Sequence, residues 1–524
     1  MSASQSWFAS LKRKARSFGR VLRRVALVAC LLLFAVVLTH NWLAGRRWTA
    51  YRQAAEARGV VLEVPKKPVN PIPDSENFAA PGSPFAYHPS QTDTWLQDFT
   101  GIHMMGPQFG IGERMTTEKA YAKNRSPIHH KKGVQPVSNV EPADQNPEGP
   151  RTAEDFLAIC EHNFGKQWPA ILEAEARPKT QPEPSPSPFI YKRPFSALEA
   201  RKTAQLHDMR AMAFLDLGRR EEALREVQNT FRLVRAIQRT PNPDLIATMI
   251  ATAIQALDLS AVWEGLVDRK WTDEDLVALQ SDLASLHPEA LWAPMVDAER
   301  TRQNEIFDAL ASEPFWKRSS DLHNLFVDQN EQLRETNANR LFWPVSGALC
   351  TAGLVRDSQY AADTFWDAAR KRITADGQWH PAIPTMVEDL IEKGRLERFR
   401  YILAFMVVPS VDRASLRMAV TVACVRDASV AVALERYRRQ HQTLPETLDP
   451  LVPEFISAIP ANPFNGHPIA YERENAESFR LLCAADNDNC KIYDVWPTEP
   501  KESNVVTWYG LAPEPSEGSK TAAR

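Results

Sequence analysis

The side chains able to do chemistry in this sequence are scattered, and few stand at spacings that would let them act together. Of six cysteines, Cys160, Cys350 and Cys424 are isolated and Cys30 lies inside an apolar run. Cys483 and Cys490 are close together in a polar stretch. That spacing suits a local disulfide in an oxidising compartment, or equally two unpaired small side chains. His129 and His130 adjoin Lys131 and Lys132. Two histidines with no cysteine or carboxylate at ligand spacing read as a solvated loop rather than a metal site. Asp297, Glu299, Arg300 and Arg302 crowd one helical stretch, and such clusters ordinarily form a solvated face with local ion pairs. The sequence holds no G-x-S-x-G, no H-E-x-x-H and no P-loop. It therefore assigns no catalytic and no cofactor-binding residue, and an enzyme is the less favoured expectation.

The elements around these residues are better specified. No acid occurs before Glu56, while Lys12, Arg13, Lys14, Arg16, Arg20, Arg23 and Arg24 precede an apolar run from residue 25 to 38. A membrane span wants about 20 residues, and residues 21–43 supply them. Arg23 and Arg24 would snorkel to headgroups and Trp42 would mark the far interface. Positive charge on the leading side places residues 1–24 in the cytoplasm and everything after Arg46 outside. No A-x-A-like cleavage site follows Leu38, and the lipoprotein-like Leu27-Val28-Ala29-Cys30 comes too early in the apolar run. An uncleaved anchor is therefore expected.

Beyond the anchor the chain reads as mostly helical. At 524 residues, 44% hydrophobic and 24% charged, it can hold two or three ordered domains. A net charge of −3 argues against a nucleic-acid partner. Residues 44–64 look like a continuation of the anchor helix. Residues 65–150 carry 13 prolines and little periodicity, as a loop or linker would; Pro178 opens a second proline tract, running to Pro194. Residues 151–410 read as a helical bundle. Within it, Ser196 and Glu199 have capping-box spacing, and Gly218 is a helix stop. Residues 244–265 are apolar on nearly all sides, which marks a buried helix. Thr272 with Asp275 caps the next one. Ala211, Phe214, Leu217, Gly218, Ala223 and Leu224 resemble one tetratricopeptide repeat, spanning residues 196–238. With no second copy, this implies a helical hairpin with repeat-like packing rather than a solenoid.

The most specific text is C-terminal. An amphipathic helix carries Met418, Val422, Val425, Val430, Ala433 and Leu434 and ends on Tyr437. Then follow Leu444-Pro445, Leu451-Val452-Pro453, Ile459-Pro460 and Asn462-Pro463-Phe464-Asn465-Gly466. Two short apolar runs come next, at Pro468-Ile469-Ala470-Tyr471 and Phe479-Arg480-Leu481-Leu482. Prolines fix an extended path, Asn465-Gly466 supplies a turn, and Phe464 is expected to pin the loop to the helix. This order resembles the globular part of type II secretion major pseudopilins, across residues 412–508 at most. The resemblance implies a small α+β module at 411–510, followed by a disordered tail at 511–524. In that family the last loop binds calcium, and Asp486, Asp488 and Asp494 fall near its acidic positions. Three carboxylates with backbone carbonyls can satisfy calcium's six to eight oxygens. The loop lacks the family's glycines, however, and has Cys483 and Cys490 instead, so a disulfide is the alternative staple.

The combined expectation is a mostly α, single-pass protein of the bacterial inner membrane with its body in the periplasm. Its partners would be the membrane and another protein, in a binding or scaffold role with a secretion-related one in view. A membrane-anchored periplasmic hydrolase with its site in the helical body is the alternative.

Overall fold

The computed structural model describes residues 3–63, 72–86, 153–181, 195–241, 243–314, 317–318, 351–380, 400–401, 403–404, 411–485 and 505–510. Its first element is one unbroken helix, α1 (Ala3–Ala57). Two different environments divide it. Between Val21 and Leu43 most of its described large apolar side chains are exposed, Leu33 at 65% and Leu43 at 49%. From Ala44 on it is docked, with Ala44, Trp48 and Ala55 buried. The exposed part is long and apolar enough to cross a membrane by length and composition.

The body is mostly helical. Its described helices are α2 (Ala153–Phe164), α3 (Trp168–Glu175), α4 (Ala197–Asp216), α5 (Arg220–Gln238), α6 (Leu245–Val267), α7 (Asp273–Ala284), α8 (Trp292–Ser312), α9 (Ala352–Ala369) and α10 (Val411–His441). Helices α4 and α5 form a hairpin. Gly218 closes it at φ +70°, a conformation that favours glycine, and the Arg219 N–H donates back to Phe214 O at 2.8 Å. Ala204, Ala211 and Ala223 are fully buried there and let the helices approach. Helix α6 passes the same length and composition test as α1. Its apolar perimeter is instead covered by α4, α5 and α10, the usual fate of a helix hydrophobic all round. Asp244 caps it by accepting from Ala247 N. Thr272 and Asp275 form the expected capping box on α7.

Helix α10 joins body and C-terminal module. It packs on α6 and α7 and also carries an antiparallel sheet of β1 (Ala470–Arg473), β2 (Phe479–Ala484) and β3 (Val505–Tyr509), in that order. The register pairs Tyr471 with Leu481 and Leu481 with Trp508. Alternation along β2 buries Phe479, Leu481 and Cys483. Asn465-Gly466 makes the expected turn, Gly466 standing at φ +76°. Phe464 is buried, and the Trp379 ring meets it edge-on at 6.0 Å. One apolar cluster runs continuously from Phe78 through α4–α7 and α10 to Trp508.

Three local expectations are corrected. Ser196 is the N-cap of α4 but makes no side-chain cap bond. Its N–H donates to Phe85 O at 2.8 Å instead, and Glu199 is fully buried. Packing of Phe195 on the stacked Phe78 and Phe85 rings, rather than a reciprocal cap, sets the entry to this helix. Those two rings also show that residues 72–86, read as linker, are part of the packed body. Finally, the face with Asp297, Glu299, Arg300 and Arg302 is not fully solvated. Glu299 and Arg300 are buried because α6 and α9 cover them: Glu299 accepts from Leu245 N at 2.8 Å, and Arg300 pairs with acids of α9.

Candidate functional site

The docked half of α1 lies along α9, and the seam between them is polar. Asp357 on α9 is fully buried. Its carboxylate accepts from Arg47 Nη1 at 2.7 Å and from Arg400 Nε, and it contacts His40 Nε2 at 2.9 Å. These partners keep their outer faces in water, with Arg47 at 37% and His40 at 29% side-chain exposure. One turn earlier, the Gly353 N–H donates to Asn41 Oδ1 at 2.7 Å. The absence of a side chain at Gly353 permits this approach, since a Cβ there would stand 2.6 Å from His40 Nδ1.

Further along, Tyr51 donates its hydroxyl to Asp367 Oδ2 at 2.9 Å, and Arg58 pairs with the same carboxylate at 3.1 Å. Burial, with Asp363 and Asp367 nearby, pushes the Tyr51 hydroxyl well above the ordinary phenol range, so it stays a donor. Trp48 stacks on Tyr51, and Tyr360 meets Tyr51 edge-on at 5.3 Å. Beneath this row, fully buried Arg300 of α8 donates to Asp367 Oδ1 at 2.7 Å and stands 3.5 Å from Asp363. Burial pushes Asp363 up to about 7, against the opposing pull of Arg300.

A second buried cluster sits in the hairpin. His207 of α4 lies between two carboxylates, with Nδ1 2.6 Å from Glu226 Oε2 and Nε2 2.9 Å from Glu175 Oε1. Arg210 donates to the other Glu226 oxygen at 2.8 Å. Burial alone would disfavour a charged imidazole, but the Glu175 charge and both hydrogen bonds outweigh it and raise His207 to about 10. The ring is thus an imidazolium donating from both nitrogens. Glu226 is held below the usual carboxylate range by His207 and Arg210, despite burial, whereas burial raises Glu175. Arg210 also lies over the Trp168 ring at 4.7 Å. The four charges balance inside the bundle, an arrangement that locks α3, α4 and α5 in register. An imidazole with a pKa near 10 is poorly matched to proton transfer at neutral pH.

The residues singled out in the acidic loop, Asp486, Asp488, Asp494 and Cys490, lie outside the described residues, as do His129 and His130. Cys483 is buried on β2 as a free thiol, and its S–H donates to Asp427 Oδ1 of α10 at 3.5 Å. Burial pushes Asp427 up to about 8. Among the described residues no group of three or more His, Cys, Asp or Glu side chains is arranged to hold a metal ion. The α1–α9 seam and the His207 cluster were not read from the sequence. The seam's only local trace is polar His40, Asn41 and Arg47 at the end of an apolar run, whose partners lie about three hundred residues away. Comparison with known protein families, curated proteins and solved structures finds no match to this chain.

Proposed function

We propose that this protein is a single-pass inner-membrane protein whose helical body is held against the outer membrane face as a protein-binding scaffold. One observation carries the reading. The exposed apolar segment and the docked segment are one helix, and the Asp357 contacts begin at His40, within that segment's last turn. A flexible tether needs no such junction. A helix continuous through its exit, clamped to the body at its first polar residues, fixes the body's distance and tilt. Cytoplasmic placement of residues 1–24 and a periplasmic body follow from the basic residues before the span. The binding role is placed ahead of the periplasmic hydrolase because the His207 cluster is buried and internally ion-paired. A pseudopilin-like module at 411–510 remains part of this reading, as does calcium in its last loop; a disulfide there does not, because Cys483 is a free thiol bonded to Asp427.

Alkaline extraction of membranes, with protease treatment of spheroplasts, tests the topology. The protein should stay in the membrane pellet, and its body should be cleaved only once the outer membrane is opened. Crosslinking and pull-down from those membranes, with and without residues 412–510, tests the scaffold role. Release at alkaline pH would refute the anchor, and an identical crosslinking pattern after truncation would refute partner recruitment by the tail.

A further inference from the structure

The face of α1 turned away from α9 carries a feature that the docking touches only at its edge, through Asn41. Asn41, Trp42, Gly45, Arg46, Thr49, Ala50 and Gln53 line an open cavity of about 500 Å³. Trp42 is 58% exposed, and the Arg46 guanidinium lies over its ring at 5.0 Å. Nothing stands within 4 Å of where a Gly45 Cβ would be, and Thr49 bonds back to Gly45 O at 2.9 Å, so the wall is open and low. The neighbouring arginines of α1 are committed: Arg47 to Asp357, Arg52 to Glu56 and Glu63, Arg58 to Asp367. Arg46 has no ion pair among the described residues.

We infer that this cavity seats the phosphodiester headgroup of an anionic phospholipid of the outer leaflet, with Arg46 as its cation. The inference rests on the membrane-span reading above. Three facts on the helix agree with it. The cavity starts where the exposed apolar segment ends, which is headgroup depth for a span of residues 21–43. An exposed tryptophan at that depth sits with its ring among the glycerol and headgroup atoms. A guanidinium presents a planar fork that matches two phosphate oxygens, and stacking on the indole pre-orders it. The acyl chains would then run down the exposed face past Leu38 and Phe34.

The test uses the full chain in detergent micelles and in nanodiscs. Native mass spectrometry after delipidation and re-addition counts bound phosphatidylglycerol against phosphatidylcholine, for wild type, R46Q, R46K and W42L. One basic side chain near a membrane surface contributes about 1 kcal/mol, so R46Q should lose phosphatidylglycerol by about fivefold. R46K should lose less, and phosphatidylcholine retention should change little. Glycerol phosphate and inorganic phosphate should not compete at matched concentration. Equal retention by wild type and R46Q overturns the inference, and so does competition by inorganic phosphate. A G45C chain that crosslinks to a second copy in good yield, with retention unchanged, also overturns it and makes a second α1 the occupant. Alkaline extraction separates the two levels. Protein released from membranes defeats the span itself, whereas protein retained with unchanged lipid counts defeats only the headgroup site.

Discussion

Replacing His207 by leucine is the sharpest perturbation available in the body. The side chain is fully buried and bridges Glu175 and Glu226, which are themselves buried. Its rise from 6.5 to about 10 sets a ceiling on its contribution. About 1.4 kcal/mol per pKa unit gives a ceiling near 5 kcal/mol. The true figure is smaller, because Glu175 is raised and gives part of it back. Loss of one partner of a buried ion pair costs roughly 3–5 kcal/mol, since an uncompensated charge stays behind. The lower half of that range is expected, because Arg210 still holds Glu226. Urea unfolding of the full chain in mild detergent, followed by far-ultraviolet circular dichroism, reads it directly. Adding Glu175→Leu should recover at least about half of the loss, because the stranded carboxylate is then gone. The pH dependence has a definite sign. Stability from a raised histidine is fully present below about pH 6.5 and is lost as pH climbs toward 10. Wild type should therefore weaken across that window while His207→Leu stays flatter. A single-mutant loss under about 1 kcal/mol, or a double mutant no better than the single, would refute the charge-balance argument.

Three further outcomes follow from the packing. Asp427→Asn should stabilise the protein at pH 7 by roughly 1–2 kcal/mol, within a ceiling of about 4, and leave it unchanged near pH 4. The carboxyl, raised to about 8, stabilises only where it is protonated and loses that contribution as pH rises from about 4. Parallel thermal melts of both proteins at the two pH values check it, and a destabilised variant at pH 7 would contradict it. Gly265→Ala should lower the melting temperature, because its Cβ would stand 2.1 Å from the fully packed Trp271 indole. Overpacking of this kind costs roughly 1–3 kcal/mol, and an unchanged melt would show that the indole can move. Gly353→Leu should push α1 off α9, since His40 and Asn41 occupy the space. Limited proteolysis should then cut within residues 44–57, and an unaltered digestion pattern would show that the seam tolerates the added bulk.

What the sequence revealed and what it hid divide along chain separation. Helix α7 was legible to its first residue because Thr272 and Asp275 satisfy each other's backbone within four residues. Helix α6 was legible as buried because its composition leaves no polar face. The order of α10, the Asn465-Gly466 turn and the first two strands was legible for the same reason, as each signal is local. Glu299 and Arg300 were misread because a charged helix face looks the same in sequence whether water or another helix covers it. Burial became rational only with their distant partners in place, Leu245 N for Glu299 and, more than sixty residues on, Asp363 and Asp367 for Arg300. Ser196 and Glu199 show the converse: correct spacing for a reciprocal cap was overridden by tertiary packing of Phe78, Phe85 and Phe195. The third strand had no expectation at all, since Val505 to Tyr509 is too short a run to stand out without its partner β2.

The two charged clusters differ in which partner keeps access to water, and that difference bears on their roles. In the hairpin every member is buried or nearly so, and removing the cation strands an anion in the core. Such a cluster suits permanent register. At the α1–α9 seam only Asp357 is fully buried, while His40, Arg47 and Arg400 remain about a third exposed. Water can take over each of these side chains as it leaves, but the last to go strands the buried Asp357 carboxylate, so the first contacts break at smaller cost than the last. What resists separation is their number and the unbroken helix beneath them. Contacts recur from His40 to Tyr51, about 17 Å of α1 at 1.5 Å per residue, and again at Arg58 just past its end, and they meet α9 in the same chain direction from Gly353 to Asp367. Tilting the body away from the helix axis would have to open all of them together. The seam therefore tolerates loss of single contacts, while the buried Asp357 carboxylate resists full release, a combination that suits the scaffold role proposed above.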